Sequence, residues 1–540
     1  MANQPTPGST DPAVYSDGWN RAAIAVALGA TVFRIIYLLW FCPYDLAQDE
    51  AHYWDWSRNL DWSYYSKGPL VAWLIALSDF LTRSWLPLVG GDPVFGVRLF
   101  APISGGAFLL GLFTFTRQTC HDGRGALIAM LAAMTVPPIA VAGLLMTIDA
   151  PFTCLWVWAL VFAHRALGSN RLADWITLGA IVGLGILAKY TMVLFIPSLA
   201  LAMLMDTTWR KQLLRPAPWI GIGATVLLCM PIVAWNINND FVTFRHVGNL
   251  AGVDRPAGGI RWMGPLQFLG GQLALLMGFW LLAWLAALIA LRPWRQNDSS
   301  VRLAWWLSFP TFMVFGLFSF KTGGGEINWP VTAYLAGVPL VLVWFNGLKG
   351  QFSVVATRSA IAMLALGTIL VFFLHASPVV QPLLARLAGP PTESNPTPLR
   401  RLDPTCRLMG WKQLANYVDL IRISDPSMVV AAHRWSSVGL LGFYCQGRPR
   451  VESLGAALGD RHSQYDLWPH PVAQPDKYRG RDFIIVDAPS EALIGAFDRV
   501  ETPIIVTATS PGGFPVARWS VVVARGFRGF DPAKLPPRGW

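Results

Sequence analysis

Hydrophobic residues make up 54% of this 540-residue chain and charged ones only 14%, against roughly 25% charged in a soluble globular domain, so the chain belongs in a bilayer. Its formal charge of +11 does not make nucleic acid the partner, because the excess sits in short loops and in the last part of the chain, with no basic run interleaved for base stacking. Six cysteines in so long a chain are not a disulfide scaffold.

Residues 1–20 are polar and rich in Pro, Ser and Thr. They lack the basic start and short apolar core of a cleaved signal peptide, which predicts a cytoplasmic tail ahead of a retained first span at Ala22–Phe41. A crossing needs about 20 mostly apolar residues. Further candidate spans follow at Val94–Thr116, Ala126–Leu145, Pro151–Ala166, Trp175–Ala188, Met192–Met205, Trp219–Trp235, Leu266–Leu291, Leu303–Phe320, Trp329–Trp344 and Ser359–Ala376, about eleven in all. Pro69–Leu81 is apolar but short and predicts an interfacial helix. Lys and Arg in short loops prefer the cytoplasm. The loops with Arg117 and Arg124, Arg165 and Arg171, Arg210, Lys211 and Arg215, and Arg292, Arg295 and Arg302 share that side if the N-terminus is cytoplasmic. The opposite face then receives the loop at 42–93, the turn Met146–Asp149, Lys189-Tyr190, residues 236–262 and Lys321–Pro330. Everything beyond Ala376 lies with them. Residues 377–400, with their Pro, Thr, Ser and Asn, predict a linker. Residues 401–540 predict a small α/β domain, with a helix near Trp411–Ile421 and strand-like runs at Ser427–Ala432, Asp482–Asp487 and Trp519–Ala524. The expected fold class is a mostly α, polytopic membrane protein (membrane part 21–376) with a C-terminal α/β domain.

The chemistry gathers on the outer face. Gln48-Asp49-Glu50-Ala51-His52-Tyr53-Trp54-Asp55-Trp56-Ser57 runs on to Tyr64-Tyr65-Ser66-Lys67-Gly68-Pro69, an acidic and aromatic segment of the kind that sits at a membrane surface. The adjacent carboxylates Asp49 and Glu50 suit deprotonation of a hydroxyl or binding of a divalent cation. They equally suit the first turn of an interfacial helix. Lys67 fits a phosphate as a compact point charge, or snorkels. Asp149 stands where one apolar run gives way to the next, with Pro151 setting the helix start; an ionisable group there is functional by default, and an N-cap is the plainer use of it. Lys189 interrupts a long apolar stretch at an outer helix end. Lys321 and Glu326 flank three glycines, a ligand-cradling turn or a merely flexible one. His52 and His246 have no metal-ligand spacing around them. There is no P-loop, dinucleotide fingerprint or nucleophile elbow. Cys154 and Cys229 fall in apolar runs; Cys406 and Cys445 either pair or stay buried thiols.

Asp49-Glu50-Ala51-His52-Tyr53-Trp54, with Ser63-Tyr64-Tyr65 and Lys67-Gly68-Pro69-Leu70, resembles the first outer loop of the protein mannosyltransferase-like superfamily of GT-C glycosyltransferases. That group includes lipid A aminoarabinose transferases and bacterial galacturonosyltransferases of lipopolysaccharide. Thr147-Ile148-Asp149-Ala150-Pro151, Gly185-Ile186-Leu187-Ala188-Lys189-Tyr190 and Asn328-Trp329-Pro330 with Ala333-Tyr334 match it further. The resemblance implies a GT-C inner-membrane enzyme that transfers a sugar from a polyprenyl-phosphate donor to a lipid or glycan acceptor of lipopolysaccharide type, on the periplasmic face. It makes Asp49 the catalytic base, with Glu50 beside it and Asp149 the second carboxylate. Lys67, Lys189 and Lys321 become the cations for the donor phosphate, and His52, Tyr53, Tyr64, Tyr65, Tyr190, Glu326 and Asn328 the substrate-binding set. Many relatives show His where Glu326 stands, and Pro-Pro where Gly68-Pro69 follows Lys67. No cofactor is implied outright, and a divalent cation stays open. A transporter or flippase of lipid-linked saccharides is the rival class; it predicts mid-membrane ionisable groups and internal repeats, whereas the charges here lie at helix ends. Composition does not separate single-sugar transfer from a ligase of whole glycans.

Overall fold

The computed structural model describes residues 17–250 and 260–536. Among these residues, six helices are long and apolar enough to cross a membrane: Gly18–Phe41, Phe95–Cys120, Asp149–Ser169, Pro216–Asn238, Ser299–Thr322 and Gly350–His375. Two sharply bent pairs, Tyr190–Met205 with Thr207–Leu214 and Gly264–Leu275 with Phe279–Ala290, bring the number to eight if each is one span. The chain is thus a multi-pass membrane protein. The other expected spans are present as the shorter apolar helices Gly123–Met134, Leu172–Ala188 and Val331–Asn346. Backbone breaks that hydropathy does not register account for the difference. The run expected over Ala126–Leu145, for example, divides at Val136 (φ −83°, ψ 116°), because the residue before a proline is pushed out of the α region. Leu70–Thr82 is the expected short helix within residues 42–93.

The helical part closes over one large apolar core that includes Leu109, Phe115, Trp156, Trp284, Leu307 and Leu340. Some of its polar groups pair within it, where no water can serve them. Trp284 Nε1 donates to Ser308 Oγ at 3.0 Å, and that hydroxyl donates to the Ala333 carbonyl at 2.6 Å.

Residues 377–400 are not the expected linker. They hold the helix Ser377–Ala388 and a 3-10 turn at Pro398–Arg401, because a proline in the first turn, here Pro378, gives up only an N–H that has no helical partner anyway. The helix is tied on both sides: Ser377 N–H donates to Tyr44 Oη at 3.2 Å, and the buried Gln381 donates to Asp403 Oδ2 at 2.8 Å.

Beyond it, the helix Trp411–Ser424 precedes a six-stranded sheet of β1 (Val429–Ala432), β2 (Glu452–Ser453), β3 (Phe483–Val486), β4 (Phe497–Val500), β5 (Ile504–Thr509) and β6 (Pro515–Phe527). The order is β2-β1-β3-β6-β4, with β5 also on β6. β1 runs parallel to β2 and β3, while β6 is antiparallel to β3, β4 and β5. The three expected strand runs are β1, β3 and part of β6. Alternation along the strands sends Val430, Ala432, Ile484, Val486, Val521 and Val523 to one apolar cluster and Val429, Ala431, Phe483, Ile485, Val522 and Ala524 to another, the two faces of a pleated strand.

The first of those clusters also contains Tyr53, Trp54, Trp56 and Tyr64, so the loop at 42–93 and the C-terminal α/β region share a core. The docking helix Trp435–Tyr444 lies directly on the first-loop helix Gln48–Ser57. A Cβ at Gly439 would stand 2.5 Å from the Ala51 carbonyl oxygen, and only glycine lets the two backbones approach so closely. All six cysteines are free, with Cys406 and Cys445 buried in this region; of the two readings of that pair, the structure shows unbonded thiols.

Candidate active site

The acidic segment is helical. Ala47 ends the extended backbone, and Asp49 and Glu50 occupy the first turn of Gln48–Ser57. Successive residues on a helix point about 100° apart, so the neighbours separate completely. Glu50 is fully buried. Its Oε1 accepts from Arg98 Nε at 2.8 Å and from the Met146 N–H at 2.8 Å, and its Oε2 from Arg98 Nη2 at 2.7 Å and from the Ala47 N–H at 2.9 Å. Four donors commit this carboxylate entirely. Arg98, itself buried, also donates to the Asp45 carbonyl at 2.9 Å.

Asp49 instead remains open to solvent in a recess walled by protein. Burial pushes its carboxyl above the ordinary range, and Lys67 and Arg461 pull it back; its accessibility moderates the first effect. Asp149 also lies within electrostatic reach of it.

Lys67 arrives by way of Gly68. A Cβ at Gly68 would fall 2.1 Å from the Leu187 carbonyl oxygen, so the loop rests directly on the end of the helix Leu172–Ala188. There the backbone of Lys189 turns extended (φ −149°, ψ 124°), ending the helix and projecting the side chain into the site. Lys189 Nζ donates to Asp149 Oδ1 at 2.7 Å, and Asn328 Nδ2 to Asp149 Oδ2 at 2.8 Å. Asp149 lies within the first turn of Asp149–Ser169 and makes no side-chain cap, so its carboxylate serves these two partners instead. Burial, followed by the nearby Lys189, pushes the Lys67 ammonium below its usual range. Asp49, Lys67, Asp149 and Lys189 therefore converge from four separate stretches of sequence.

The expected substrate-binding residues divide. Tyr53 is buried within reach of both Asp49 and Asp149. His52 is enclosed by Trp56, Trp435 and Tyr465 at 4.8, 5.0 and 4.9 Å between ring centres. Burial lowers it to about 3, so it is a neutral packing group at ordinary pH. Tyr64 stacks on Trp56 at 4.4 Å, and its hydroxyl is taken up by the backbone of Trp56, Asn59 and Asp61. Tyr65 stands against His246 at 4.7 Å, and Tyr190 Oη pairs with Ser63 Oγ at 3.2 Å. Tyr64, Tyr65 and Tyr190 brace the Lys67 loop. Lys321 and Glu326 are exposed on the turn between Ser299–Thr322 and Val331–Asn346, and no contact among the described residues ties either to the Asp49 cluster. Among the described residues no three His, Cys, Asp or Glu side chains converge as a metal site.

Beneath Asp149 and Asn328 lies an apolar cavity that includes Phe108, Pro138, Ile139, Val331 and Leu335. Pro138, Ile139, Val331 and Leu335 also line a longer cleft running between helices past Ala132, Trp280, Trp284, Tyr334 and Leu342. Asp149, alone of the four converging charges, thus borders an apolar cavity that shares these lining residues with the cleft.

Two charged residues of this region, Arg98 and Arg461, were not singled out in the sequence. Arg98 carried a signal, a lone guanidinium near the start of an apolar run, which requires a buried partner. Arg461 carried none, being one of several arginines in the C-terminal α/β region.

The sequence profile of the dolichyl-phosphate-mannose-protein mannosyltransferase family matches residues 66–235. Lipid A galacturonosyltransferase RgtD of Rhizobium johnstonii is 29% identical over 61% of this chain and 66% of its own length. Undecaprenyl phosphate-alpha-4-amino-4-deoxy-L-arabinose arabinosyl transferase 1 of Pseudomonas fluorescens is 26% identical over 62% of this chain and 61% of its own. The chain therefore matches just under two thirds of the length of these relatives. In fold it is similar to ArnT from Cupriavidus metallidurans bound to undecaprenyl phosphate, with a TM-score of 0.61 and 16% identity over 94% of this chain and 98% of that one. It is also similar to the apo oligosaccharyltransferase of Archaeoglobus fulgidus, with a TM-score of 0.51 and 13% identity over 88% and 70%. The architecture is that of a GT-C membrane protein. Its sequence is thus similar to lipid A sugar transferases over about three fifths of its length, and its fold is similar to that of ArnT over nearly all of it.

Proposed function

We propose that this chain is an integral membrane glycosyltransferase that moves a sugar from a polyprenyl-phosphate donor to a lipid or glycan acceptor of lipopolysaccharide type. The observation that carries the reading is the meeting of Asp49, Lys67, Asp149 and Lys189, with Asp149 bordering an apolar cavity between the helices. A hydroxyl nucleophile requires a base, a departing phosphate requires cations aimed at its developing charge, and a polyprenyl tail requires an apolar channel. One place supplies all three. Asp49 takes the acceptor hydroxyl proton as its oxygen bonds to the anomeric carbon. The bond from that carbon to the phosphate oxygen breaks, and polyprenyl phosphate leaves with the electron pair. Lys67 receives the phosphate. Lys189 and Asn328 fix Asp149 at the floor of the site, Tyr53 adjoins both carboxylates, and Glu50 holds the first-loop helix in place. The names of the relatives, which specify undecaprenyl phosphate and lipid A, agree with this choice of substrates.

A reconstituted assay with an undecaprenyl-phosphate-linked sugar and lipid A tests the reading. Lys67→Ala is expected to raise the KM for the donor about tenfold or more, the size of a lost charge-assisted hydrogen bond, with little change for the acceptor. Lys67→Arg keeps part of the donor affinity if the contact is Coulombic. Equal losses toward both substrates would show a collapsed loop instead of a phosphate contact.

The site faces the periplasm in this reading, with the protein in the inner membrane, the N-terminus cytoplasmic, residues 21–376 as the catalytic membrane domain and residues 401–540 as the periplasmic domain. The basic loops described above support it. Reporter fusions after Pro398 should be active only as periplasmic reporters, and a cytoplasmic signal there would overturn the orientation.

A further inference from the structure

At the far end of the helix Gln48–Ser57, where its C-terminus meets the C-terminal α/β region, lies a cavity of about 560 Å³ with its mouth included, within the range of small-molecule sites. The end of the helix supplies Asp55 and Arg58 to its wall, and the segments at and after β2 supply Arg450, Glu452, Tyr465 and Trp468. The charges are paired: Arg58 Nη1 stands 3.5 Å from Asp55 Oδ1, and Arg450 Nε 3.2 Å from Glu452 Oε1. Backbone carbonyls hold the same arginines from another side. Arg58 Nη2 donates to the Arg448 carbonyl at 3.1 Å, and Arg450 Nη2 to that of Pro469 at 2.5 Å. Glu452 and Tyr465 are buried, so this part of the wall is fixed in place by its surroundings.

Apart from His470, the charged groups of the lining are these two arginines and two carboxylates, and their charges cancel. A phosphate would meet the carboxylates, and a metal ion the guanidiniums. A neutral ligand rich in hydroxyls suits both, because a hydroxyl donates to a carboxylate and accepts from a guanidinium, each time in a charge-assisted bond. Trp468 adds an apolar face. It meets Tyr465 edge-on at 5.7 Å and is only half-buried, which leaves ring surface for the C–H side of a sugar. The cavity is also close to the proposed base. Asp55 follows Asp49 by six residues, about 9 Å along the helix axis, and Tyr465 meets His52, which stands between them in the sequence, at 4.9 Å. We propose that this cavity binds a saccharide unit of the acceptor and holds it while a hydroxyl of a neighbouring unit reaches Asp49. That the saccharide is the acceptor's rests on the glycosyl-transfer reading above.

The test uses the full-length protein in nanodiscs. Its probes are the deacylated disaccharide of lipid A with its phosphates, the same disaccharide without them, inorganic phosphate and undecaprenyl phosphate. Both disaccharides are expected to bind. Glu452→Gln should weaken them about tenfold or more, the size of a lost charge-assisted hydrogen bond, and leave undecaprenyl phosphate unchanged. Trp468→Ala should act in the same direction, while Trp468→Phe, which keeps an aromatic face, retains most of the binding. Disaccharide binding that is absent from the wild type, or unchanged in both Glu452→Gln and Trp468→Ala, overturns the proposal. So does binding that requires the phosphates or yields to inorganic phosphate, which would make the cavity an anion site, and so does an equal loss of undecaprenyl phosphate, which would mean a displaced domain. Wild-type protein that binds the disaccharides but transfers no sugar from an undecaprenyl-phosphate-linked donor fails the glycosyltransferase reading, and the acceptor assignment with it. Transfer by the wild type together with unchanged variants fails the saccharide site alone.

Discussion

Asp49→Asn keeps the size of the side chain and most of its hydrogen bonding but removes the base, so transfer is expected to fall about 10²-fold or more while insertion and thermal stability stay those of the wild type. Among the described residues the carboxyl makes no buried ion pair whose loss would unfold the protein, whereas Glu50 beside it is fully buried against Arg98. The pH profile supplies an independent check. A base works deprotonated, and burial raises Asp49 above the ordinary carboxylate range. Activity should therefore fall as the pH drops through that raised value, well before ordinary surface carboxylates protonate, and Asp49→Asn should abolish this acid limb along with the rate. Ordinary turnover by the variant with donor and acceptor both present would demote Asp49 to a helix-start residue.

What could be read from the sequence follows from how local each signal is. Apolar runs mark membrane helices because a span must satisfy its own backbone, and β1, β3 and β6 were legible because their β-branched runs need no distant partner. Asp49 and Lys67 were conspicuous as charges in an acidic, aromatic loop, and Asp149 and Lys189 as charges at the ends of apolar segments. Their convergence was not visible, since it depends on Gly68 seating on Leu187 and on the helix break at Lys189. The roles of Asp49 and Glu50 could not be told apart by residue type, because the partner that consumes Glu50 lies 48 residues away. Residues 377–400 misled by composition: their prolines signal a linker, yet Pro378 falls where a helix tolerates it. Arg461 is placed by a domain interface, and nothing local announces that.

Breaking the Glu50–Arg98 pair is expected to have the largest effect on stability. Both side chains are completely buried and meet at 2.7 Å, and removing one partner of such a pair leaves an uncompensated charge at a cost of about 3–5 kcal/mol. Arg98→Met strands the carboxylate. Glu50→Gln strands the guanidinium and also weakens the acceptor for the Met146 and Ala47 N–H groups that hold the first-loop helix to the turn before Asp149. Either variant should lose folded protein on mild heating in detergent, at temperatures where Asp49→Asn remains intact. The double variant Glu50→Gln/Arg98→Met removes both charges at once and should regain part of the loss, the non-additivity expected of residues in direct contact. Glu50→Gln protein that keeps wild-type thermal stability but turns over no substrate would refute the structural role and return Glu50 to the chemistry.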